Sequence, residues 1–361
     1  MTTYLLAGGG TAGHVNPLLA VADRIRERES DATILVLGTK EGLESRLVPD
    51  RGYELLTIER LPFPRRLNRA AFSFPRRFRA AVSQTRTYIE ERGVDVVVGF
   101  GGYASAPAYR AARVMGIPLA LHEANAKPGF ANRLGARYTH QVGVAFRSTR
   151  LRGARWVGMP LRREIERMDR FSDRAEGIQF FGLDPAKPTL LVTGGSTGAR
   201  SINATIFDSI AQILGAGWQV LHIAGNGSEL VDTGLVDAGL ADYHLLHYCD
   251  RMELAIAVAD FAVARSGSGT VSEFAAVGVP AVFVPYPVGN GEQKYNARDA
   301  VDAGGALLIE DATFTPAWVA EELVPLLRDP AAIAELAANI LTVGSRDGAD
   351  RMVDLVASAG K

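Results

Sequence analysis

Cysteine, long apolar runs and net charge are all scarce in this chain. Among 361 residues Cys249 is the only cysteine, so neither an intramolecular disulfide nor a cysteine-built zinc site can form. No apolar run approaches the roughly 18 residues of a membrane span, and Met1–Gly10 is typical of a strand entering a loop rather than of a signal peptide. We therefore expect a protein that stays in the cytoplasm. With 39 basic and 40 acidic residues, no strong overall attraction to polyanions is predicted.

Short aliphatic or β-branched runs alternate with helical patterns along the whole chain. Continuous apolar strands separated by helices are typical of parallel sheets covered on both faces, so the predicted fold class is α/β. A chain of 361 residues is expected to form two domains. The predicted strands span residues 4–7, 33–37, 94–99, 118–122, 141–145, 189–193, 219–224, 243–247, 261–264 and 281–285.

The two halves of the chain share a local pattern. Leu5–Gly13 and Leu191–Ala199 each combine a strand, a turn of small residues and a helix start, which predicts a Rossmann-type unit in each half. The domain boundary is expected near Gly158–Pro160, after the strand-like Arg155–Val157, because the proline interrupts the periodicity and a charged stretch follows. A final helix near Gly348–Ser358 could belong to either domain.

Glycine-rich turns follow several predicted strands. A parallel strand that enters a helix through glycines leaves backbone N–H groups pointing at the positive end of the helix dipole, where phosphate binds well. Gly8, Gly10 and Gly13 match the dinucleotide motif G-x-G-x-x-G. Thr33–Leu37, however, is followed by Gly38–Lys40 and not by the acid that would hold a ribose, which disfavours a nicotinamide cofactor. Alternatively, the glycines only allow close packing of helix on strand.

His14 and Glu273 each follow such a turn. His14 lies where a helix begins, and a helix N-terminus disfavours the imidazolium, so a neutral imidazole could accept a proton there. Glu273 follows the Ser/Gly-rich segment Arg265–Ser272, and its carboxylate could accept hydrogen bonds from both hydroxyls of a ribose. On spacing alone, capping or dipole compensation explains either residue equally well.

Five motifs in this order together resemble the MurG family, UDP-N-acetylglucosamine:N-acetylmuramyl-(pentapeptide) pyrophosphoryl-undecaprenol N-acetylglucosaminyltransferases. The motifs are Gly8–His14, Gly101–Tyr103, His122–Asn125, Gly194–Arg200 and Ser266–Glu273, and the likeness covers nearly the whole chain. The resemblance implies a GT-B fold, in which two Rossmann-like domains with parallel sheets face each other across a cleft. It implies an N-terminal acceptor and membrane-associating domain at 1–161 and a UDP-GlcNAc-binding domain at 162–342. A C-terminal helix at 343–361 would pack back on the N-terminal domain.

The resemblance also implies roles for individual residues, matched motif by motif. On the donor side these are Glu273 for the ribose, Ser196 and Thr270 for the diphosphate, the backbone of Cys249 for uracil, Gln293 for the GlcNAc hydroxyls with Asn296 nearby, and Arg162 from the linker. On the acceptor side they are Thr11, Gly13, Tyr103 and Asn125, with His14 as the catalytic base. Two positions depart from the usual family pattern, Met159 in place of Asn and Glu292 in place of Gln or His. These departures leave the detailed sugar contacts open.

The implied activity is an inverting N-acetylglucosaminyl transfer that converts lipid I to lipid II in peptidoglycan synthesis. An acceptor hydroxyl, losing its proton to His14, would attack the anomeric carbon from the face opposite UDP. Helix N-termini and loop amides would stabilise the leaving UDP. No cofactor is implied and no metal is strictly required, because the loops carry no Asp-x-Asp cluster. The alternatives are another lipid acceptor on the same fold, or a nucleotide-sugar-binding module without turnover.

One segment is strongly basic although the whole chain is balanced. Arg60–Arg86 holds eight arginines and no Asp, Glu or Lys, with phenylalanines between them. Each arginine near an anionic bilayer contributes about 1 kcal/mol, and phenylalanine can enter the interface. The segment therefore predicts peripheral attachment to the cytoplasmic face of the plasma membrane through Phe63, Phe72, Phe74, Arg76, Arg77 and Arg79.

The alternative for the basic segment is a solvated helix face whose phenylalanines lie in the core. No RNA-binding signature accompanies the segment, so no nucleic-acid partner is expected. The expected partners are UDP-GlcNAc, an undecaprenyl-linked acceptor and an anionic membrane surface, and proteins of cell-wall synthesis are conceivable further partners.

Overall fold

The chain forms two compact units. The computed structural model describes residues 1–64, 69–195, 198–228, 241–288 and 291–359. One unit comprises Met1–Arg163 with Arg346–Lys361, and the other comprises Glu164–Ser345. The first unit therefore ends at Arg163, against 161 in the sequence-based expectation, and it includes the last helix.

The first unit alternates strands and helices along its whole length. Its elements are β1 (Thr3–Ala7), α1 (Ala12–Arg28), β2 (Thr33–Gly38), α2 (Glu44–Asp50), β3 (Glu54–Thr57), α3 (Arg69–Arg92), β4 (Val96–Gly99), α4 (Ser105–Met115), β5 (Leu119–Glu123), α5 (Phe130–Gly135), β6 (Gln141–Val144) and β7 (Ala154–Trp156). The short helix α6 (Arg163–Glu166) follows at the boundary.

The first unit is built on a parallel sheet of seven strands in the order β3-β2-β1-β4-β5-β6-β7. Side chains of β1 alternate between two cores: Tyr4 and Leu6 pack on one face, and Leu5 and Ala7 on the other. Both faces are covered by helices, which is why the strand sequences are continuously apolar. The strand order reverses between β1 and β4, and open α/β sheets bind ligands at this point, beyond the carboxyl ends of the strands.

The second unit follows the same plan. Its elements are α7 (Arg170–Phe181), β8 (Thr189–Thr193), α8 (Arg200–Asp208), α9 (Ile210–Leu214), β9 (Gln219–Ile223), β10 (Tyr243–Leu246), α10 (Met252–Val258), β11 (Phe261–Ala264), α11 (Ser268–Val277), β12 (Ala281–Phe283), α12 (Glu292–Asn296), α13 (Arg298–Asp302), β13 (Ala306–Leu308), α14 (Pro316–Trp318), a π-helix (Val319–Leu323), α15 (Val324–Leu327) and α16 (Pro330–Leu341). Six parallel strands run in the order β10-β9-β8-β11-β12-β13, with the reversal between β8 and β11.

All ten predicted strands are present, which confirms the α/β class. Each lies within two residues of its predicted bounds, and 189–193 and 261–264 match fully. The sequence did not predict β3 or β13. Both are short strands at a sheet edge, and β3 begins with an exposed glutamate, so neither shows the continuous apolar pattern of a central strand.

The last helix, α17 (Gly348–Ala357), covers one face of the first sheet. Met352 and Leu355 lie in the same core as α1 and β1. Gly143 in β6 makes room for this helix, because a Cβ at that position would lie 2.9 Å from the Met352 sulfur. Arg28 of α1 donates to the Asp354 carboxylate at 2.5 Å. Apolar packing and ion pairs thus join the end of the chain to its first unit.

Candidate active site

Two glycine-rich turns meet where the first sheet reverses its strand order. Gly8–Gly10 follows β1, and Gly101 and Gly102 follow β4. Gly102 has φ +83°, and a Cβ there would lie 2.4 Å from the Gly9 carbonyl oxygen. Only glycine therefore lets the two turns touch. The contact brings two of the predicted motifs, far apart in sequence, to one edge of the sheet.

A buried glutamate that the sequence did not reveal holds the first turn. Glu44, at the start of α2, is 1% exposed. One carboxylate oxygen accepts the Gly10 N–H at 2.7 Å, and the other accepts the Thr39 N–H at 2.9 Å and the Thr39 hydroxyl at 2.8 Å. Glu44 is therefore not the ribose-binding acid of a dinucleotide site, since its carboxylate is buried and bonded to two loops of the protein. Because it binds Gly10, the first turn is not the open phosphate cradle that its glycines predict.

His14 lies in the first turn of α1, against the second glycine-rich turn. Its Nδ1 is 3.1 Å from the hydroxyl oxygen of Thr11, the N-cap residue of α1. A Cβ on Gly101 would lie 3.2 Å from His14 Nε2, so glycine leaves room for the imidazole edge. Two predicted acceptor-side residues, Thr11 and His14, are therefore brought together, and Gly13 precedes the histidine within the same helical turn.

Tyr103 connects the second turn to the basic segment. A Cβ on Gly10 would lie 3.9 Å from the Tyr103 ring, which places the tyrosine beside the first turn. The Arg60 guanidinium lies 5.0 Å from the centre of the same ring. The neighbouring Tyr103 side chain favours the charged guanidinium and raises the pKa of Arg60. The sequence analysis predicted no individual role for Arg60, which is one of the eight arginines in the basic segment.

Asn125 is held by a buried carboxylate at the end of β5. Glu123 accepts the Asn125 N–H and the Gly129 N–H, both at 2.9 Å, and the Asn132 side-chain amide at 3.0 Å. Burial raises the pKa of Glu123, and these three donors oppose that rise. His122, beside it, is also buried, and burial lowers its pKa to about 4. In this motif Glu123 and His122 shape the loop, and Asn125 is the partly exposed member.

In the second unit the turn after β8 has the same tight geometry. A Cβ on Gly194 would lie 2.3 Å from the Ala199 nitrogen, and one on Gly198 would lie 2.1 Å from the Ala224 carbonyl oxygen. Both glycines are needed for close approach of backbone to backbone. Ser196, predicted to bind the diphosphate, lies outside the described residues.

The turn after β11 leads directly into α11. Thr270 and Glu273 are three residues apart on this helix, so they share one face, and both are partly exposed. The Ser266 hydroxyl, just before the helix, is fully buried and has no hydrogen-bond partner among the described residues. The Thr270 hydroxyl and the Glu273 carboxylate, both predicted to bind UDP-GlcNAc, thus lie on one face of the N-terminal half of α11.

Four further residues predicted to bind UDP-GlcNAc are described by the structure. Asn296 is fully buried and donates to the Ser266 carbonyl oxygen at 3.3 Å, so its amide supports the loop from inside. The Gln293 side-chain oxygen accepts the Tyr286 N–H at 2.9 Å. Cys249 follows β10 and is half-buried, and burial raises the pKa of its thiol. Arg162 belongs to the first compact unit rather than to the second.

Some side chains of the predicted membrane patch are exposed, and others pack against the core or form an ion pair. Phe72 is 81% and Phe63 45% exposed, whereas Phe74 packs partly against the core. Arg77 does not point to solvent as a lone charge, because its Nη2 donates to Glu59 at 2.7 Å. The partner, Glu59, lies one residue before the stretch that contains no acidic residue, and the assignment of Arg77 to the patch stays a prediction.

Phe130 extends this surface and was not predicted. It is 53% exposed, and its ring centre lies 4.0 Å from that of Phe63. Phe63 in turn lies 4.7 Å from Phe74. Phe63, Phe72, Phe74 and Phe130 are called the aromatic cluster below. Phe130 comes from α5, far from the basic segment in sequence, so no local pattern could have indicated it.

Comparison with known proteins identifies the family. Models of glycosyltransferase family 28 match at residues 4–144 for the N-terminal domain and 189–352 for the C-terminal domain. The crystal structure of Acinetobacter baumannii MurG covers 99% of this chain and 100% of its own, with a TM-score of 0.80 and 27% identity. The UDP-N-acetylglucosamine--N-acetylmuramyl-(pentapeptide) pyrophosphoryl-undecaprenol N-acetylglucosamine transferase of Leifsonia xyli subsp. xyli is 62% identical over 99% of this chain and 98% of its own length. The chain belongs to the MurG family.

A second MurG-family relative supports the same assignment. The transferase of the same name from Streptomyces coelicolor is 46% identical and covers 98% of this chain and 97% of its own length. Family membership confirms the predicted GT-B fold and the glycosyltransferase class. No helix among the described residues is long and apolar enough to cross a membrane. The roles of the individual site residues stay predictions.

Proposed function

We propose that this chain transfers GlcNAc from UDP-GlcNAc to undecaprenyl-pyrophosphoryl-MurNAc-pentapeptide, converting lipid I to lipid II in peptidoglycan synthesis. The observation that carries this proposal is the 62% identity to a transferase of that name over 99% of the chain. The geometry supports it, because each sheet presents glycine-rich turns where its strand order reverses. We assign the acceptor site to the first unit and the nucleotide site to the second.

His14 is the proposed base. An acceptor hydroxyl loses its proton to the imidazole and attacks the anomeric carbon of GlcNAc, while the bond from that carbon to the UDP oxygen breaks on the opposite face. The configuration at the anomeric carbon therefore inverts. Thr11 Oγ1 lies 3.1 Å from His14 Nδ1 and orients the ring, and Gly101 leaves room at Nε2. A base in this role contributes about 10²- to 10⁴-fold to the rate.

UDP-GlcNAc is proposed to bind the second unit at α11. Glu273 accepts the ribose hydroxyls, and Thr270 with the N–H groups at the start of the helix binds the diphosphate. The positive end of the helix dipole stabilises the charge that develops on UDP as it leaves. The proposal requires no metal or cofactor, because the helix end and hydroxyls supply that stabilisation. Among the described residues no group of His, Cys, Asp and Glu is arranged to hold a metal.

We further propose that the aromatic cluster attaches the protein to the anionic cytoplasmic face of the plasma membrane. Phe72, Phe63 and Phe130 supply exposed apolar area, and Arg76 and Arg79 supply exposed positive charge next to it. This arrangement fits an acceptor with an undecaprenyl tail. Sedimentation with phosphatidylglycerol vesicles tests the attachment: Phe72→Ser should lower the bound fraction, whereas Phe171→Ser, an equally exposed phenylalanine of the second unit, should not. Equal losses would contradict the proposal.

The decisive test of the activity is transfer of labelled GlcNAc from UDP-GlcNAc to a polyprenyl-pyrophosphoryl-MurNAc-peptide. The wild-type protein should catalyse it, and His14→Ala should lower kcat by about 10²- to 10⁴-fold while UDP-GlcNAc binding persists. His140→Ala, an exposed histidine of the same unit, is the matched control. Unchanged transfer by His14→Ala would remove the base assignment. Tight UDP-GlcNAc binding without wild-type turnover would indicate a binding module, and faster transfer to diacylglycerol would indicate another acceptor.

A further inference from the structure

The first glycine-rich turn is a poor place for an anion. Its Gly10 N–H, which would otherwise point at a ligand, donates to the Glu44 carboxylate at 2.7 Å. A fixed carboxylate there repels a phosphate. The polyprenyl acceptor of the proposed function carries a diphosphate, and a nearby cation would offset the repulsion from Glu44.

Arg60 is an exposed cation beside this turn. Its guanidinium lies over the Tyr103 ring, and Tyr103 is adjacent to Gly10. No carboxylate in the described part of the chain forms an ion pair with Arg60. Its backbone is held separately, because Arg77 Nη2 donates to the Arg60 carbonyl oxygen at 3.2 Å. Arg60 is therefore held at its side chain by Tyr103 and at its backbone by Arg77, and the side chain is exposed to solvent.

The aromatic cluster begins three residues after Arg60. Phe63 contacts Phe130 with ring centres 4.0 Å apart and ring planes tilted by 39°, and both side chains are exposed. Arg60 thus lies beside Tyr103 and the first glycine-rich turn, and it precedes the exposed Phe63 by three residues. A ligand in which an anionic group joins a hydrocarbon chain to a sugar matches this order of surfaces.

We propose that Arg60, held against Tyr103, binds the diphosphate of the polyprenyl-diphosphate acceptor. The hydrocarbon chain then leaves toward Phe63 and Phe130, and the sugar lies toward His14. The proposal rests on the proposed function, since it concerns the acceptor of that reaction. A guanidinium suits this task because its planar fork can donate two parallel hydrogen bonds to one phosphate group.

The test uses the full-length protein and a soluble acceptor with a short prenyl chain, without any bilayer. Arg60→Gln should raise the acceptor KM by about tenfold or more, as expected when a hydrogen bond to a charged group is lost, and leave the KM of UDP-GlcNAc unchanged. Arg60→Lys should recover part of the loss, because it keeps the charge without the fork. Arg113→Gln, which removes an exposed arginine of α4, is the matched control.

Two results would overturn the assignment. An unchanged acceptor KM in Arg60→Gln would show that the guanidinium does not bind the acceptor. A loss confined to acceptor embedded in phosphatidylglycerol vesicles would show that Arg60 binds lipid headgroups and not the diphosphate. In both cases wild-type turnover persists, so the proposed function stands. If the wild-type protein transferred nothing, the proposed function itself would fail.

Discussion

Glu44 provides the sharpest test of how the first glycine-rich turn is held. The Glu44→Ala variant removes the acceptor of three hydrogen bonds at 2.7–2.9 Å, two from backbone N–H groups and one from the Thr39 hydroxyl. Thr39 is 2% exposed, so water cannot readily replace its partner. A buried donor that loses its acceptor lowers the free energy of unfolding by about 1–3 kcal/mol, and loss of the acceptor of the partly exposed Gly10 N–H lowers it by less. We expect the first unit to lose about 2–4 kcal/mol of unfolding free energy.

The effect should be local to the first unit and should also reach the chemistry. Gly10 lies four residues before His14, so a displaced loop misplaces the base, and kcat should fall by about ten- to hundredfold. Glu44→Gln should lie between wild type and Glu44→Ala, because its amide has one accepting oxygen and must turn an NH₂ group toward another donor. UDP-GlcNAc affinity should stay unchanged, since the donor residues lie in the other unit.

Hydrogen exchange measured on peptides that contain Gly10 and Thr39 reports the loop directly. Exchange should be faster in Glu44→Ala than in wild type, with no change in peptides of the second unit. Glu41→Ala, three residues earlier and exposed, is the matched control. Identical exchange in Glu44→Ala and wild type would refute the reasoning, because the turn would then be held without the carboxylate.

Three further predictions concern the donor site, acid stability and the membrane patch. Glu273→Ala should weaken UDP-GlcNAc binding by about 1–3 kcal/mol in calorimetry, and equal affinity would contradict the ribose assignment. Burial lowers the pKa of His222 to about 3, so the imidazole takes up a proton at higher pH in the unfolded chain than in the folded one. The free energy of unfolding should therefore fall as pH drops from 6.5 towards 3. Denaturant titrations should show a smaller fall for His222→Gln than for wild type. Arg79→Ser should lower the fraction of protein bound to phosphatidylglycerol vesicles more than Arg77→Ser does, because Glu59 already offsets part of the Arg77 charge. An equal or larger loss in Arg77→Ser would show that the ion pair does not reduce the contribution of Arg77 to membrane binding.

Much of the fold follows from local sequence patterns. Continuous apolar runs such as Thr189–Thr193 and Phe261–Ala264 become buried central strands, because two covered faces leave no position for a polar side chain. The glycines at 8–10 and 194–198 mark turns that only glycine can form, and a strand entering a helix through such a turn is recognisable without any tertiary information. Edge strands such as Glu54–Thr57 escaped prediction, because one exposed side removes the apolar signal.

The partners of individual side chains were decided by tertiary packing. Glu44 reaches Gly10 across 34 positions, and Arg77 pairs with Glu59 across 18. Neither contact has a periodic or compositional signature, because each depends on which helix ends the sheet brings together. The sequence therefore indicated a phosphate-binding turn and a run of unpaired arginines where the structure has an internal carboxylate and an ion pair.

The sequence alone determined the class of fold, the two Rossmann-like units and the motifs from which the family could be identified, since these depend on residue types at short spacing. Only the tertiary structure decided that Met352 and Leu355 of the last helix enter the core shared with α1 and β1, that Phe130 joins Phe63, and that Arg60 lies over Tyr103. The physical reason is that hydrophobic periodicity and backbone geometry act over a few residues. Hydrogen bonds and ring contacts, by contrast, form between any groups that the packed sheets and helices place within reach.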